Sequence, residues 1–177
     1  MGARLDQLLD PAYPGELAER SMEDLRAMRA ECQEVESGLS LLRRVVQGRL
    51  DIVGVELGRR ASGGDPADLP ELIAQLPQAL ADRQRGPGQG RLTAVDVDVT
   101  VPPALEAELE AIAPADTYGD LTCCTDDELR ELTERLSAFE RTVSDQRRLL
   151  FSRIDALQAE IVRRYRDGEA SVDALLG

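Results

Sequence analysis

Glu36, Ser40, Arg43, Gln47 and Asp51 follow one another at steps of 4, 3, 4 and 4 residues. Glu140, Ser144, Arg147, Phe151 and Asp155 repeat those steps 104 residues later, with Phe in place of Gln. On an α-helix, at about 100° per residue, this spacing gathers five side chains within an arc of about 80°. An Arg fork matches the O6 and N7 acceptors of guanine bidentately. Carboxylates suit the N1–H and N2 donors of the same base, and phosphate oxygens take Arg and Ser donors. The set therefore contains the groups that a guanine nucleotide needs. Arginines beside carboxylates are more commonly a solvated ion-pair network. Two features depart from that reading: Ser and Asp recur at fixed places, and both windows are locally basic. Residues 36–51 hold three Arg against two acids, and 140–155 hold four against three.

Long helices must carry these stripes. Between Ser21 and Arg60 the apolar positions are Leu25, Met28, Cys32, Val35, Leu39, Leu42 and Val46, a heptad alternation of 3 and 4. The pattern then slips to Leu50, Val53 and Leu57, a stutter that locally unwinds a supercoil. A second run, Thr125 to Arg166, places Leu129, Leu132, Leu136, Phe139, Val143, Leu150, Ile154, Leu157, Ile161 and Tyr165 in the same way. Gln146 interrupts it where the first run has Leu42. Ser21 with Asp24 and Thr125 with Glu128 read as capping boxes, while Gly63-Gly64 and Gly168 read as stops. Each helix is on the order of 60 Å long, and neither can bury its stripe alone. The expected fold is all-α: a long antiparallel two-helix coiled coil, or helical hairpin, with a long, partly irregular connection between the helices.

The expected organisation is an N-terminal segment (1–20), a first motif helix (21–60), an acidic connection (61–124), a second motif helix (125–167) and a C-terminal tail (168–177). Within the connection, 71–83 reads as a short helix, 92–101 as a short strand or extended segment, and Pro103–Ile112 as a second short helix.

Sliding the chain by 104 residues aligns 21–60 with 125–164 without a gap, and eleven of 40 pairs are identical. A merely shared heptad would concentrate identity at apolar core positions. Ten of the eleven are polar, including Glu36, Ser40, Arg43, Arg44, Arg49, Asp51, Glu56, Arg59 and Arg60 with their partners, so duplication of a helix with an important polar surface is the better account. Each stripe residue in the first helix follows a core position by one, which puts both stripes beside the seam of an antiparallel pair. The surface expected from this is pseudo-symmetric and suits a ligand that is itself two-fold symmetric.

The motif Glu-x3-Ser-x2-Arg-x3-Gln-x3-Asp resembles the cyclic di-GMP signature of the RsiG family of anti-sigma factors, which restrain the sporulation sigma factor WhiG in filamentous actinomycetes. Glu36-Ser40-Arg43-Gln47-Asp51 matches all five positions, and Glu140-Ser144-Arg147-Phe151-Asp155 matches four. The resemblance implies a protein that binds a dimer of cyclic di-GMP on its coiled coil and, when loaded, sequesters a WhiG-type sigma factor. It assigns Arg43 and Arg147 to guanine and phosphate, Glu36, Glu140, Asp51 and Asp155 to guanine edges or to orienting the arginines, and Ser40 and Ser144 to phosphate or ribose. At Phe151 an aromatic takes the place of a polar contact and could pack on a base or on the partner helix. Arg44, Arg49, Arg148 and Arg153 recur as secondary candidates. The alternative is a ligand-free structural or adaptor coiled coil using the stripe as a protein-binding edge.

Composition narrows the rest. The 177 residues carry 34 acids and 21 basic residues, all Arg, for a net charge of −13, which argues against direct DNA binding through the overall field. The absence of His removes the commonest general base and metal ligand, and a helix flank offers no enclosed pocket, so no enzyme and no metal site are expected. Cys32 falls on a core position, and Cys123 and Cys124 read as packing residues in a reducing compartment. No apolar run nears the length of a membrane span, so a soluble, cytoplasmic protein is expected. The charge is unevenly placed: 21–60 is neutral and 125–167 carries −1, whereas 61–124 carries −8. Near-neutral helices can present arginines to an anionic nucleotide, and the acidic connection suits the basic surfaces of a sigma factor.

Overall fold

Capping chemistry starts both long helices where the sequence places it. The Ser21 hydroxyl accepts from the Asp24 amide at 3.0 Å, and the Asp24 carboxylate accepts from the Ser21 hydroxyl at 2.7 Å and from its amide at 3.3 Å. Thr125 and Glu128 make the same reciprocal set, with the Thr125 amide donating to Glu128 at 2.7 Å. These bonds hold the Asp24 and Glu128 carboxyls below their usual range. Just past the helix ends lie Gly63 and Gly168, whose φ angles of 70° and 72° suit a residue without Cβ.

The computed structural model describes residues 2–64, 100–114, 117 and 121–168. Four helices lie among them: α1 (Gly2–Leu9), α2 (Met22–Ala61), α3 (Pro103–Ile112) and α4 (Asp126–Arg166). Short 3-10 turns at Leu17–Glu19 and Leu121–Cys123 precede the long helices. No strand occurs among the described residues. The helix expected at 71–83 lies outside them, as does the extended segment at 92–101 apart from Thr100 and Val101. The fold is the expected all-α helical hairpin, in which α2 and α4 pack antiparallel.

Contacts divide the described chain into two units, each containing part of both long helices. The first unit holds 2–42, 100–106 and 142–168. In it Arg26 pairs with Tyr165, Arg29 with Gln158 and Glu36 with Arg147, so partner numbers fall as α2 numbers rise, the mark of an antiparallel pair. Its core contains Leu25, Cys32, Val35, Leu39, Leu42, Val143, Leu150, Leu157 and Ile161, together with Leu5 and Leu8 of α1. Arg4 ties α1 to α2 through Glu31 and Glu34, each at 2.8 Å. Within the N-terminal segment 1–20, α1 and its docking on α2 are features that no pattern in the sequence announces.

The second unit holds 43–64, 107–114, 117 and 121–141. Arg43 meets Glu140 and Arg60 meets Asp126, again antiparallel. Val46, Leu136 and Phe139 are buried here, and Val53, Leu121 and Leu129 form a cluster with Ile52, Val55, Leu57, Cys124 and Leu132 packed on it. Both heptad stripes thus face inward, and each enclosed Leu contributes about 1.5–3 kcal/mol by leaving water. No described helix is long and apolar enough to cross a membrane.

Candidate functional site

The motif residues fall into two clusters, one in each unit. In the second unit Arg43 Nε donates to Glu140 Oε1 at 2.7 Å, and Gln47 Nε2 reaches the same oxygen at 3.5 Å. In the first unit Arg147 donates to Glu36 Oε1 through Nε at 3.1 Å and Nη2 at 3.0 Å, and the Ser40 hydroxyl donates to that oxygen at 2.7 Å. The pairs are repeat equivalents: Arg43 corresponds to Arg147, and Glu140 to Glu36. Each arginine is thereby held across the seam by the glutamate of the other helix. The guanidinium side chains are 35% and 20% exposed, sufficient for a ligand to reach them.

The clusters differ at one position. Phe151 is 44% exposed, and the Arg147 guanidinium carbon lies 5.5 Å from its ring centroid. Gln47 occupies the equivalent place and hydrogen bonds instead. Ser144 and Asp51 are half-buried and Asp155 is exposed.

The secondary candidates separate into two kinds. Arg44 and Arg148 are exposed, and Arg148 pairs with Asp145 one turn away at 3.0 Å. Arg49 and Arg153 serve the scaffold. Arg49 donates to the Ala113 carbonyl at 2.7 Å at the C-terminus of α3 and pairs with Glu110. Arg153, 6% exposed, donates to the Asp10 carbonyl just beyond α1 at 2.7 Å and lies over the Tyr13 ring. A helix C-terminus has unsatisfied carbonyls, which a cation fits.

A second duplicated device was present in the repeat but not read from it. Glu56 accepts from Arg59 and Arg60, and Glu160 accepts from Arg163 and Arg164. Arg60 then donates to the carbonyls of Cys124 at 2.7 Å and Leu121 at 2.9 Å. Arg164 donates to those of Arg20 at 2.6 Å and Leu17 at 2.8 Å. These carbonyls are themselves 104 residues apart, so the two clamps match in these bonds, and Arg60 adds an ion pair to Asp126 where the other copy has Met22. Each fixes the C-terminal part of one long helix to the entrance of the other. The arginines hold the carboxyls of Glu56 and Glu160 below their usual range, Glu160 at about 2. The identities Glu56, Arg59 and Arg60 were the signal, and their spacing as a carboxylate with arginines at i+3 and i+4 was the clue to a clamp.

The duplication consequently reaches beyond the long helices. Leu17–Glu19 and Leu121–Cys123 are 104 residues apart, and α1 and α3 precede them in the same order. Among the described residues no group of three metal-ligating side chains comes together.

A comparison with curated proteins finds no match. A family model described as RsiG-like matches residues 11–80 and 115–177, which spans both long helices and both motif copies. That family points to an anti-sigma role and a sigma-factor partner. With three quarters of its length matched, the chain belongs to the RsiG-like family.

Proposed function

We propose that this anti-sigma factor is gated by cyclic di-GMP, one molecule for each arginine–glutamate cluster, and that the loaded chain sequesters a WhiG-type sigma factor away from the transcription machinery of sporulation genes. The observation that supports this is the duplicated cross-helix pair, Arg43 with Glu140 and Arg147 with Glu36. Such a pair, partly open to water, is worth about 0–1 kcal/mol. A charge-assisted hydrogen bond to a ligand contributes about 1.5–3 kcal/mol. Guanine O6 and N7 or phosphate oxygens can therefore take over the arginines at small cost. Glu36 and Glu140 then act first as orienting groups and, once released, as acceptors for guanine N1–H and N2. Ser40 and Ser144 serve phosphate or ribose, and Asp51 and Asp155 serve base edges one turn and more along. The ligand is regulatory, and no chemical step is asked of the protein.

For the partner, the −8 charge of residues 61–124 is of the sign that meets a sigma factor's basic surfaces. Calorimetry of the full chain with cyclic di-GMP should give two ligands per chain, and capture of the sigma factor should depend on ligand. Arg43→Ala and Asp51→Ala should abolish that dependence with helical circular dichroism intact. Absence of heat at concentrations on the order of tens of micromolar, with and without sigma factor, would favour a ligand-free adaptor instead.

A further inference from the structure

We propose that Phe151 and Arg147 together form a purine-stacking platform, so that the first unit holds its guanine by face and edge while the second unit holds its own by the edge alone. The inference rests on the cyclic di-GMP reading and adds to it a residue that distinguishes the two ligands. Phe151 is an aromatic ring on a polar stripe, 44% exposed, at a position where the other copy carries Gln47. It is not there to fill the core: its neighbour Leu150 is fully buried, and Phe139, the other Phe of the chain, is 3% exposed.

Arg147 is held over the Phe151 ring at 5.5 Å, and two of its nitrogens are fixed by Glu36. A planar cation on one aromatic ring is a fragment of a stack. A guanine entering at Arg147 meets donors for O6 and N7 from the guanidinium and an apolar ring face from Phe151. Stacking on an aromatic side chain is tolerant of base identity and costs about five- to a hundredfold in affinity when removed by alanine. In the second unit Gln47 offers no such face. Its amide instead supports Glu140, the carboxylate that orients Arg43. The two ligands therefore bind with unequal affinity, the first unit filling first.

The chain has only two Phe residues, which makes the test direct. With ring-labelled Phe, cyclic di-GMP should move the Phe151 proton resonances upfield by the ring current of a stacked base and leave those of Phe139 in place. Calorimetry on Phe151→Ala and Phe151→Leu should show the tighter of two binding events weakened about tenfold, and Gln47→Phe should tighten the weaker one. Both positions are accessible, so helical circular dichroism should not change. Ligand binding that leaves the Phe151 resonances unmoved, or Phe151→Ala binding like the native chain, would overturn the platform and leave the guanine reading standing. No binding by the native chain, with or without sigma factor, would overturn both.

Discussion

The two units solve the same structural problem with the same atoms and the binding problem with different ones. Arg60 in the second unit and Arg164 in the first donate to carbonyls 104 residues apart, each steadied by its own glutamate. Arg49 and Arg153 likewise close the ends of α3 and α1. At the motif, by contrast, one copy sets an amide beside its arginine–glutamate pair and the other sets an aromatic ring. A clamp that satisfies several backbone carbonyls at once has one good geometry, and any change leaves buried acceptors unpaired. A half-open stripe beside water can change a side chain and still fold. The scaffold thus retains its symmetry where the candidate site has lost part of it.

Acidification should give the largest effect, because it attacks both clamps together. A carboxyl whose folded pKa lies below its unfolded one stabilises the fold above the unfolded value, and that contribution disappears as pH falls through the folded one. Glu160 is drawn from 4.5 to about 2 by Arg163 and then Arg164. Glu56 is lowered chiefly by Arg59, and Glu34 by Arg4. The thermal midpoint followed by circular dichroism should be level from neutrality down to the ordinary carboxyl pKa of 4.5, then fall steadily toward pH 2. A midpoint that stays level through that range would remove the clamps from the stability of both units.

Single carboxylates give a smaller effect and separate the units. Glu56 is fully enclosed, whereas the Glu160 side chain keeps 13% exposure. Glu56→Gln should cost about 2 kcal/mol, the scale of a charged hydrogen bond left half made. Glu160→Gln should cost less, since water replaces part of what is lost. It should also remove the lowest-pH portion of the acid titration, which Glu56→Gln leaves in place. Equal losses in urea unfolding would mean that burial does not distinguish the clamps.

The parts of this picture that the sequence disclosed are those carried by local rules. Heptad spacing gave the inward face from Leu25 to Val53 and from Leu129 to Ile161, and the two capping boxes gave the helix starts to the residue. The Pro103–Ile112 helix was legible from its apolar spacing. Pairing across the seam was legible only as a shared flank. Which glutamate meets which arginine depends on the axial register of α2 against α4, set by long-range bonds such as Arg60 to Leu121 O. No local pattern encodes that register. The backbone carbonyls that Arg49 and Arg153 meet were hidden for the same reason, because a recurring arginine has the same letter whether it faces a ligand or a carbonyl. Helix α1 was missed because eight residues with two enclosed leucines, Leu5 and Leu8, are too short a periodic signal.

The smallest expected effect concerns a place where the copies differ without touching the stripe. Gly38 has Thr142 as its repeat equivalent. A Cβ on Gly38 would run into the Thr100 carbonyl oxygen and come within 3.3 Å of its carbon, because the segment entering α3 crosses α2 at that point. Thr142 carries its Cβ on an exposed part of α4. Alanine ordinarily stabilises a helix over glycine by about 1 kcal/mol. At Gly38 that gain is set against a backbone clash of about 1–3 kcal/mol, so Gly38→Ala should come out slightly destabilising, whereas Gly48→Ala on the same helix, where nothing lies within 4 Å, should stabilise. Hydrogen exchange at residues 100–106 should quicken in Gly38→Ala and not in Gly48→Ala. If both alanines stabilise alike, the crossing segment yields freely and contributes little to the first unit. If only Gly38→Ala loosens it, a glycine in the middle of a long helix is explained by the backbone it lets pass.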